Sequence, residues 1–413
     1  FVLPHSPGQR PAWMIRSGLF LYDHLARRER LPGSRAVSFP PHPAAAILRP
    51  EYRRGFTYAD CWVEDSRLVV LNAMDAAARG ADIRTRTKLI SARREDGFWQ
   101  AEIENLAERT RETVKARAIV NAAGPWVGEV LNARLGREGA KSVRLVKGSH
   151  VIVPRLHEGE FAFILQNPDG RIVFAIPYEQ EFTLIGTTDI PYQGDPSDVM
   201  IDADETAYLC KSVSRYFNRP VSPDQVVSSY SGVRPLYDDH AANASAVTRD
   251  YVLDLDDGCE KPPLLSIFGG KITTYRRLAE HALEKLLPAM ESAIGAPWTA
   301  RAALPGGDIP RGDFEAFLRS LTTRYPLMPS GYLRRLARAY GSRVPLVLGD
   351  AREFDDLGED FGGTLTETEI RYLVRHEWAR TAEDILWRRS KLALHVPEDT
   401  AMRVEAWLKK EET

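Results

Sequence analysis

Leu264-Leu-Ser-Ile-Phe-Gly-Gly-Lys-Ile-Thr-Thr274 is the stretch on which the fold turns. Its first five residues form a short, continuous apolar run, the pattern of a strand buried on both faces. Gly269-Gly270 makes a tight turn, and Thr273 to Leu287 then places Tyr275, Leu278, Ala279, Ala282 and Leu286 on one face of an amphipathic helix. Strand, glycine turn and helix in succession make the repeating unit of an α/β sheet. The turn also sets backbone N–H groups, Thr273, Thr274 and the Lys271 ammonium at a helix N-terminus, where about half a unit of positive charge gathers. An electron-rich ligand suits that place; a plain Gly-Gly turn with a threonine cap is the alternative.

A second unit of this kind lies upstream. Ala118-Ile-Val-Asn-Ala122 is an apolar strand closed by Ala123-Gly124-Pro125 and followed by a helical pattern from Trp126 to Ala133. Before it, a helix is expected from Asp65 to Arg79, stopped by Gly80. A strand meander follows over Ile83 to Glu95, the Asp96-Gly97 turn, Phe98 to Asn105 and Thr113 to Lys115. Between Leu145 and Asp189 the pattern changes to antiparallel sheet, with hairpin turns at Asn167-Pro-Asp-Gly170 and Glu179-Gln-Glu181. Val226 to Gly232 and Tyr251 to Leu255 are expected to extend that sheet. From about Ala302 the chain is helical, rich in Leu and Arg. At the other end, Phe1 to Gly8 reads as turn-like, and Pro11 to Arg28 as an amphipathic helix with a basic end, packed on the core or facing a membrane.

The totals agree with a multidomain enzyme-sized protein. At ~150 residues per domain, 413 residues make two or three domains. With 55 basic and 57 acidic side chains there is no global field to attract nucleic acid, so any anion site must be built locally. Cys61, Cys210 and Cys259 form no metal-binding spacing, and neither a disulfide nor a metal is expected. Apolar runs such as Ile172-Val-Phe-Ala-Ile176 fall far short of the ~18 residues of a spanning helix, so a soluble or peripheral protein is expected.

Three further positions can carry chemistry. Lys147-Gly-Ser-His150 leads into an apolar strand, which would hold an imidazole, the natural proton acceptor near neutral pH, at a sheet edge; a purely structural histidine is the alternative. Arg234, between Val233 and Pro235, and Arg249, in Thr248-Arg-Asp250, suit bidentate recognition of phosphate or carboxylate, or else pairing with Asp238, Asp239 or Asp250.

Together these segments resemble the FAD-dependent glycerol-3-phosphate dehydrogenases, the aerobic, quinone-linked enzymes of glycerol catabolism. The resemblance is carried by Arg10-Pro-Ala-Trp-Met-Ile15, Leu21-Tyr-Asp-His24, Tyr58-Ala-Asp-Cys-Trp-Val63, Asn121-Ala-Ala-Gly-Pro-Trp126, Lys147-Gly-Ser-His150, Ile185-Gly-Thr-Thr-Asp189, Tyr230-Ser-Gly-Val-Arg-Pro235 and Phe268-Gly-Gly-Lys-Ile-Thr-Thr-Tyr275, and in the tail by Leu304-Pro-Gly-Gly307 and Leu357-Gly-Glu-Asp-Phe361.

The resemblance implies oxidation of sn-glycerol 3-phosphate to dihydroxyacetone phosphate, with FAD taking hydride and a quinone the electrons. A glycerophosphate oxidase that reduces oxygen to peroxide is the alternative among enzymes, and a fragment acting only as a binding module the alternative outside them. It implies an α/β fold with an α+β cap: an FAD-binding doubly wound domain (55–142 and 257–297), an antiparallel-sheet substrate cap (1–54 and 143–256) and an all-α C-terminal domain (298–413). His150, Arg234 and Lys271 become the catalytic candidates, and Arg249, Arg234 and His150 the substrate contacts. Leu89, Ala123, Gly124, Trp126, Ser149, Gly269, Gly270, Lys271, Ile272, Thr273 and Thr274 become the cofactor contacts. It also implies a homodimer, cytoplasmic and peripherally bound to the inner-membrane surface through the helices of 11–28 and 273–287. The family opens with a strand and a G-x-G-x-x-G turn that is absent from these 413 residues, so an incomplete flavin domain is expected, lacking at least one βαβ unit of ~30 residues or more. The family's acidic ribose contact and an active-site Arg-Tyr pair would belong to that unit.

Overall fold

The computed structural model describes residues 1–6, 9–25, 31–137, 142–238, 250–258, 261–293 and 295–411. Two compact units divide the chain: Phe1–Trp62 with Leu89–Glu104 and Arg111–Ile294, and Val63–Lys88 with Asn105–Thr110 and Gly295–Thr413.

The first unit is organised by the strand Val143–Pro154, whose alternate residues face opposite ways. Val151 and Val153 on one face are wholly buried, with Phe163, Leu165, Val173, Ala175 and Ile185 from the neighbouring strands. Against that face packs the helix Ala203–Ser214, which contributes Leu209, Cys210 and Val213. Removing each such aliphatic side chain from water stabilises the fold by about 1.5–3 kcal/mol, so this face specifies the register. A capping box of Asp202 and Glu205 starts the helix. Among the described residues the sheet has nine strands. From Val143–Pro154 it runs through Phe182–Gly186, Ile172–Tyr178 and Phe163–Gln166 to Val2–His5, Arg54–Thr57 and Arg35–Ser38. Ile190–Pro191 and Ser228–Tyr237 also pair with Val143–Pro154, the latter along its length from Ser228↔Ile152 to Tyr237↔Val143.

Two readings of the N-terminal region change. Val2–His5 is a strand, not a turn, paired antiparallel to Arg54–Thr57 through backbone bonds that local composition does not announce. The amphipathic helix spans Ala12–His24 and buries none of its residues, so core packing does not explain its apolar face.

Leu264–Phe268 is wholly buried, as its composition requires, and lies parallel to Ile119–Asn121. Val252–Asp256 pairs antiparallel with it instead of extending the large sheet; its register Leu253↔Ile267 and Leu255↔Leu265 seats apolar residues opposite apolar ones. The meander Thr87–Glu95, Phe98–Asn105 and Thr110–Ala116 turns at Asp96 and Gly97, both at positive φ. It joins the neighbouring strand through Trp99, whose indole N–H donates to the Pro263 carbonyl at 3.0 Å.

The second unit is helical. Asp65–Ala78 joins Phe314–Arg324, Ser330–Tyr340, Glu367–Glu377 and Thr400–Glu411, which arrange Leu333, Leu336, Leu365, Ile370, Leu373 and Val404 as a wholly buried core. Two ion pairs lie inside it. Arg67 grips Glu377 in bidentate fashion, and Arg335 grips Glu369 at 2.6 and 2.8 Å while Tyr340 donates to the same carboxylate at 2.6 Å.

Candidate active site

His150 is placed by what lies on either side of its strand. In the ladder it stands opposite Gly186 and Tyr230. A Cβ at Gly186 would lie 2.0 Å from His150 Cδ2, so the imidazole covers the bare glycine backbone. On the other side the Tyr230 ring stacks on it, with centroids 4.8 Å apart and planes 12° from parallel. The imidazole is therefore held in one plane by a missing side chain and an aromatic one.

Four residues along the same face comes Arg234, opposite Val146. Between the two side chains the ladder pairs Gly148 with Gly232. A Cβ at Gly148 would lie 2.5 Å from Arg234 Nη2, while nothing lies within 4 Å of that position at Gly232. Gly232 thus leaves an open floor between the imidazole and the guanidinium, while Gly148 is bare backbone that the guanidinium itself covers, with Thr187 Oγ1 2.7 Å from the same position. Arg234 donates to Thr187 Oγ1 at 2.9 Å, to the Thr188 carbonyl at 3.4 Å and to Asp189 Oδ1 at 3.3 Å. The Asp189 pair is half-exposed and monodentate, a weak hold that leaves the guanidinium able to take an incoming anion. Its carboxylate is Asp189, where the sequence had suggested Asp238, Asp239 or Asp250.

The glycine turns converge on the same strand. Gly269 and Gly270 both have positive φ, and a Cβ at Gly269 would lie 3.2 Å from the Asp250 carbonyl and 3.5 Å from that of Pro235, the neighbour of Arg234. A side chain at Gly270 would meet Leu278 at 2.8 Å, so the helix Tyr275–Ala289 leaves the turn closely packed. Lys271 extends from it into solvent, its side chain with no partner among the described residues, and Thr274 caps the turn by donating to the Lys271 carbonyl at 2.9 Å. Gly124 also has positive φ, with open space where a Cβ would be, and its turn contacts the strand Ser228–Tyr237. Buried Asn121 shapes it, accepting from the Ala123 N–H at 3.3 Å and donating to the Val127 carbonyl at 3.0 Å.

Not every expected residue joins this group. Ser149 is wholly buried on the opposite face of the sheet, where its hydroxyl bonds Glu205 and Ser231, so its side chain is no part of the open face. Leu89 is half-buried beside the Trp99 cluster, and Trp126 is 38% exposed. Arg249 lies outside the described residues. Sequence reasoning missed Gly148, Gly186, Gly232 and Tyr230. Glycines within strands, where they weaken pairing, were the available signal. Among the described residues no group of His, Cys, Asp and Glu could hold a metal ion.

Comparison with known proteins decides the family. The FAD dependent oxidoreductase family matches residues 1–276, and the C-terminal domain of alpha-glycerophosphate oxidase matches residues 297–409. The aerobic glycerol-3-phosphate dehydrogenase of Escherichia coli is 49% identical over 408 residues, covering 99% of this chain and 80% of that protein. This chain belongs to the FAD-dependent glycerol-3-phosphate dehydrogenase family. Its relatives include the D-erythritol 1-phosphate dehydrogenase of Brucella abortus, 49% identical over 410 residues, covering 98% of this chain and 81% of that protein. The glycerol-3-phosphate dehydrogenase of Bacillus halodurans, solved with FAD, superposes with a TM-score of 0.69 at 26% identity, covering 89% of this chain and 76% of that one.

The cofactor of this family is FAD, and the local chemistry fits its ring end. Gly124, at positive φ with open space where a Cβ would be, gives bare backbone on which a flat ring can lie, and Lys271 offers a cation with no partner among the described residues. The dinucleotide fingerprint that would hold the pyrophosphate does not occur in the 413 residues.

Proposed function

We propose that this protein oxidises the secondary hydroxyl of sn-glycerol 3-phosphate, giving dihydroxyacetone phosphate. One observation carries the reading: His150 and Arg234 stand on one sheet face with the open backbone of Gly232 between them, and the Gly269–Lys271 turn lies against the residue after Arg234. A three-carbon substrate lies on Gly232, between the two side chains. His150 takes the proton of the C2 hydroxyl while the C2 hydride leaves, and the Arg234 guanidinium stabilises the oxygen as charge develops on it. FAD, when bound, accepts that hydride. Lys271, the Gly269–Gly270 turn and the bare backbone of Gly124 would hold the ring, and the Lys271 ammonium would favour negative charge on it. Arg249 grips the phosphate.

In this reading residues 1–54 and 143–256 form the substrate cap, 55–142 and 257–297 the flavin domain and 298–413 the helical domain. A quinone takes the electrons at a membrane surface, with the protein as a homodimer bound peripherally. The helix Ala12–His24 supports that reading, with Trp13, Phe20 and Leu21 each more than half exposed beside Arg16. Among the described residues no helix is long and apolar enough to cross a membrane.

The test is anaerobic titration of the flavin-loaded protein. Glycerol 3-phosphate should bleach the flavin absorbance, and a soluble quinone should restore it faster than oxygen does; peroxide formation at the quinone rate would favour the oxidase reading. The open space above Gly232 and the erythritol phosphate relative support a second substrate, so D-erythritol 1-phosphate belongs in the same titration. No bleaching by either compound would refute the assignment.

A further inference from the structure

Behind the sheet face that carries His150 and Arg234, a buried carboxylate gathers Lys147, Ser149 and Thr188. Glu205, the third residue of the helix Ala203–Ser214, is 3% exposed. Its Oε1 accepts from Ser149 Oγ at 2.9 Å and from Thr188 Oγ1 at 2.6 Å. Its Oε2 meets the Lys147 ammonium at 2.6 Å and accepts from the Asp202 N–H at 3.2 Å. Lys147 also reaches Asp202 at 3.3 Å and the Met200 carbonyl at 3.2 Å.

The directions of these bonds are forced. A carboxylate paired with an ammonium only accepts, so both hydroxyls must donate to Glu205. Thr188 Oγ1 then keeps its lone pairs for the Ser149 N–H, which donates to it at 2.9 Å. Ser149 Oγ in turn accepts from Ser231 Oγ at 2.9 Å. Three elements are locked together in one sense: the strand of His150, the strand of Arg234 and the loop 187–189. That loop is also what Arg234 holds, through Thr187 Oγ1, the Thr188 carbonyl and Asp189. The guanidinium is half-exposed and its hold on Asp189 is weak, so its direction depends on where the loop stands.

We propose that Glu205, acting through the Thr188 hydroxyl, is the positioning residue that fixes the loop 187–189 and so aims Arg234 at the substrate oxygen. The inference rests on the role given to Arg234 above. Neither Glu205 nor Thr188 reaches the open face, so their influence on the reaction passes through the loop. A positioning residue of this kind should lower the rate of flavin reduction at saturating substrate more than it weakens substrate binding.

The test is a double-mutant cycle in the flavin-loaded protein, read by stopped-flow reduction with glycerol 3-phosphate. Thr188→Val, nearly isosteric, should slow reduction about tenfold or more, and Thr188→Ser, which restores the donor, should return it to within about threefold of the parent. In an Arg234→Ala background the Thr188→Val step should add less than about twofold. Where Thr188→Val does not fold by circular dichroism, Glu205→Gln takes its place in the same cycle, because its amide sets a donor against Lys147 and Asp202. Equal losses with and without Arg234, or no recovery with serine, would overturn the inference. A slow Arg234→Ala with a normal Thr188→Val would overturn it alone, while a normal Arg234→Ala would overturn both it and the role of Arg234.

Discussion

Replacing Gly186 by alanine adds one methyl group under the His150 ring and leaves every titrating group in place. The new Cβ would stand 2.0 Å from His150 Cδ2 and 2.6 Å from Cγ and Nε2. Non-bonded carbons settle at about 3.5–4.0 Å, so the ring must retreat by about 1.5 Å. Retreat is opposed by the Tyr230 ring stacked at 4.8 Å on the far side, and the φ of Gly186 lies outside the left-handed region, so the backbone itself accepts alanine. Overpacking of this kind costs about 1–3 kcal/mol of stability, which leaves a domain of this size folded. A displacement of about 1 Å at the proton acceptor is worth about 100-fold in rate. The assay is anaerobic stopped-flow reduction of the flavin at saturating glycerol 3-phosphate, with the melting temperature measured beside it. Reduction should fall about 100-fold while the substrate dissociation constant changes by less than about threefold. A reduction rate within about threefold of the parent, in a folded protein, would remove His150 from the role of base.

The second unit offers a stability test: Glu377→Gln leaves the buried Arg67 guanidinium without its counter-charge and should lower unfolding stability by about 3–5 kcal/mol, read as the urea midpoint of that unit. Lys271→Met should lower the two-electron potential of the bound flavin by about 20 mV or more, since a unit cation about 4 Å from a developing negative charge is worth about 1 kcal/mol even in water, and an unmoved potential by spectroelectrochemistry would contradict that role. Burial alone would raise the Asp256 pKa, but hydrogen bonds and charge from Arg94 and Arg137 outweigh it and hold the carboxyl below its ordinary value. A depressed folded pKa stabilises above the unfolded value and loses that contribution as pH falls through the folded one, so Asp256→Asn should destabilise the protein at neutral pH and by less and less below about pH 4. A gap between the two proteins that does not narrow at acid pH would contradict the assignment.

How far the sequence reaches depends on whether a signal is local. Leu264–Phe268 was legible because a strand buried on both faces must be apolar throughout, and Gly269–Gly270 because two positive-φ positions demand glycine. The strand Val252–Asp256 was assigned to the wrong sheet because an alternating strand of five residues states which of its faces is apolar and nothing about its partner. Val2–His5 was read as a turn for the same reason: Pro4 and the prolines that follow dominate local composition, while the pairing with Arg54–Thr57 spans some fifty residues of chain. His150 and Arg234 were found by residue type and their sharing of a face was not. That fact needs the register His150↔Tyr230 and Arg234↔Val146, which only the folded ladder supplies.

That register also explains why one short strand carries so many of the candidate residues. Along Lys147-Gly-Ser-His150 the side chains alternate between a buried face and an open one. Lys147 and Ser149 reach back to Glu205, while Gly148 lies under the Arg234 guanidinium and His150 stands on that same face. Each buried polar group is satisfied only if the strand keeps its register, because a slip by one residue would bring the imidazole against Glu205 and expose the lysine on the reacting side. The polar network therefore does for register what apolar alternation does for Val151 and Val153 two residues later. A substrate floor needs glycine, which pairs through its backbone but brings no side chain to pack, and the carboxylate behind the sheet provides the anchoring that the floor itself cannot.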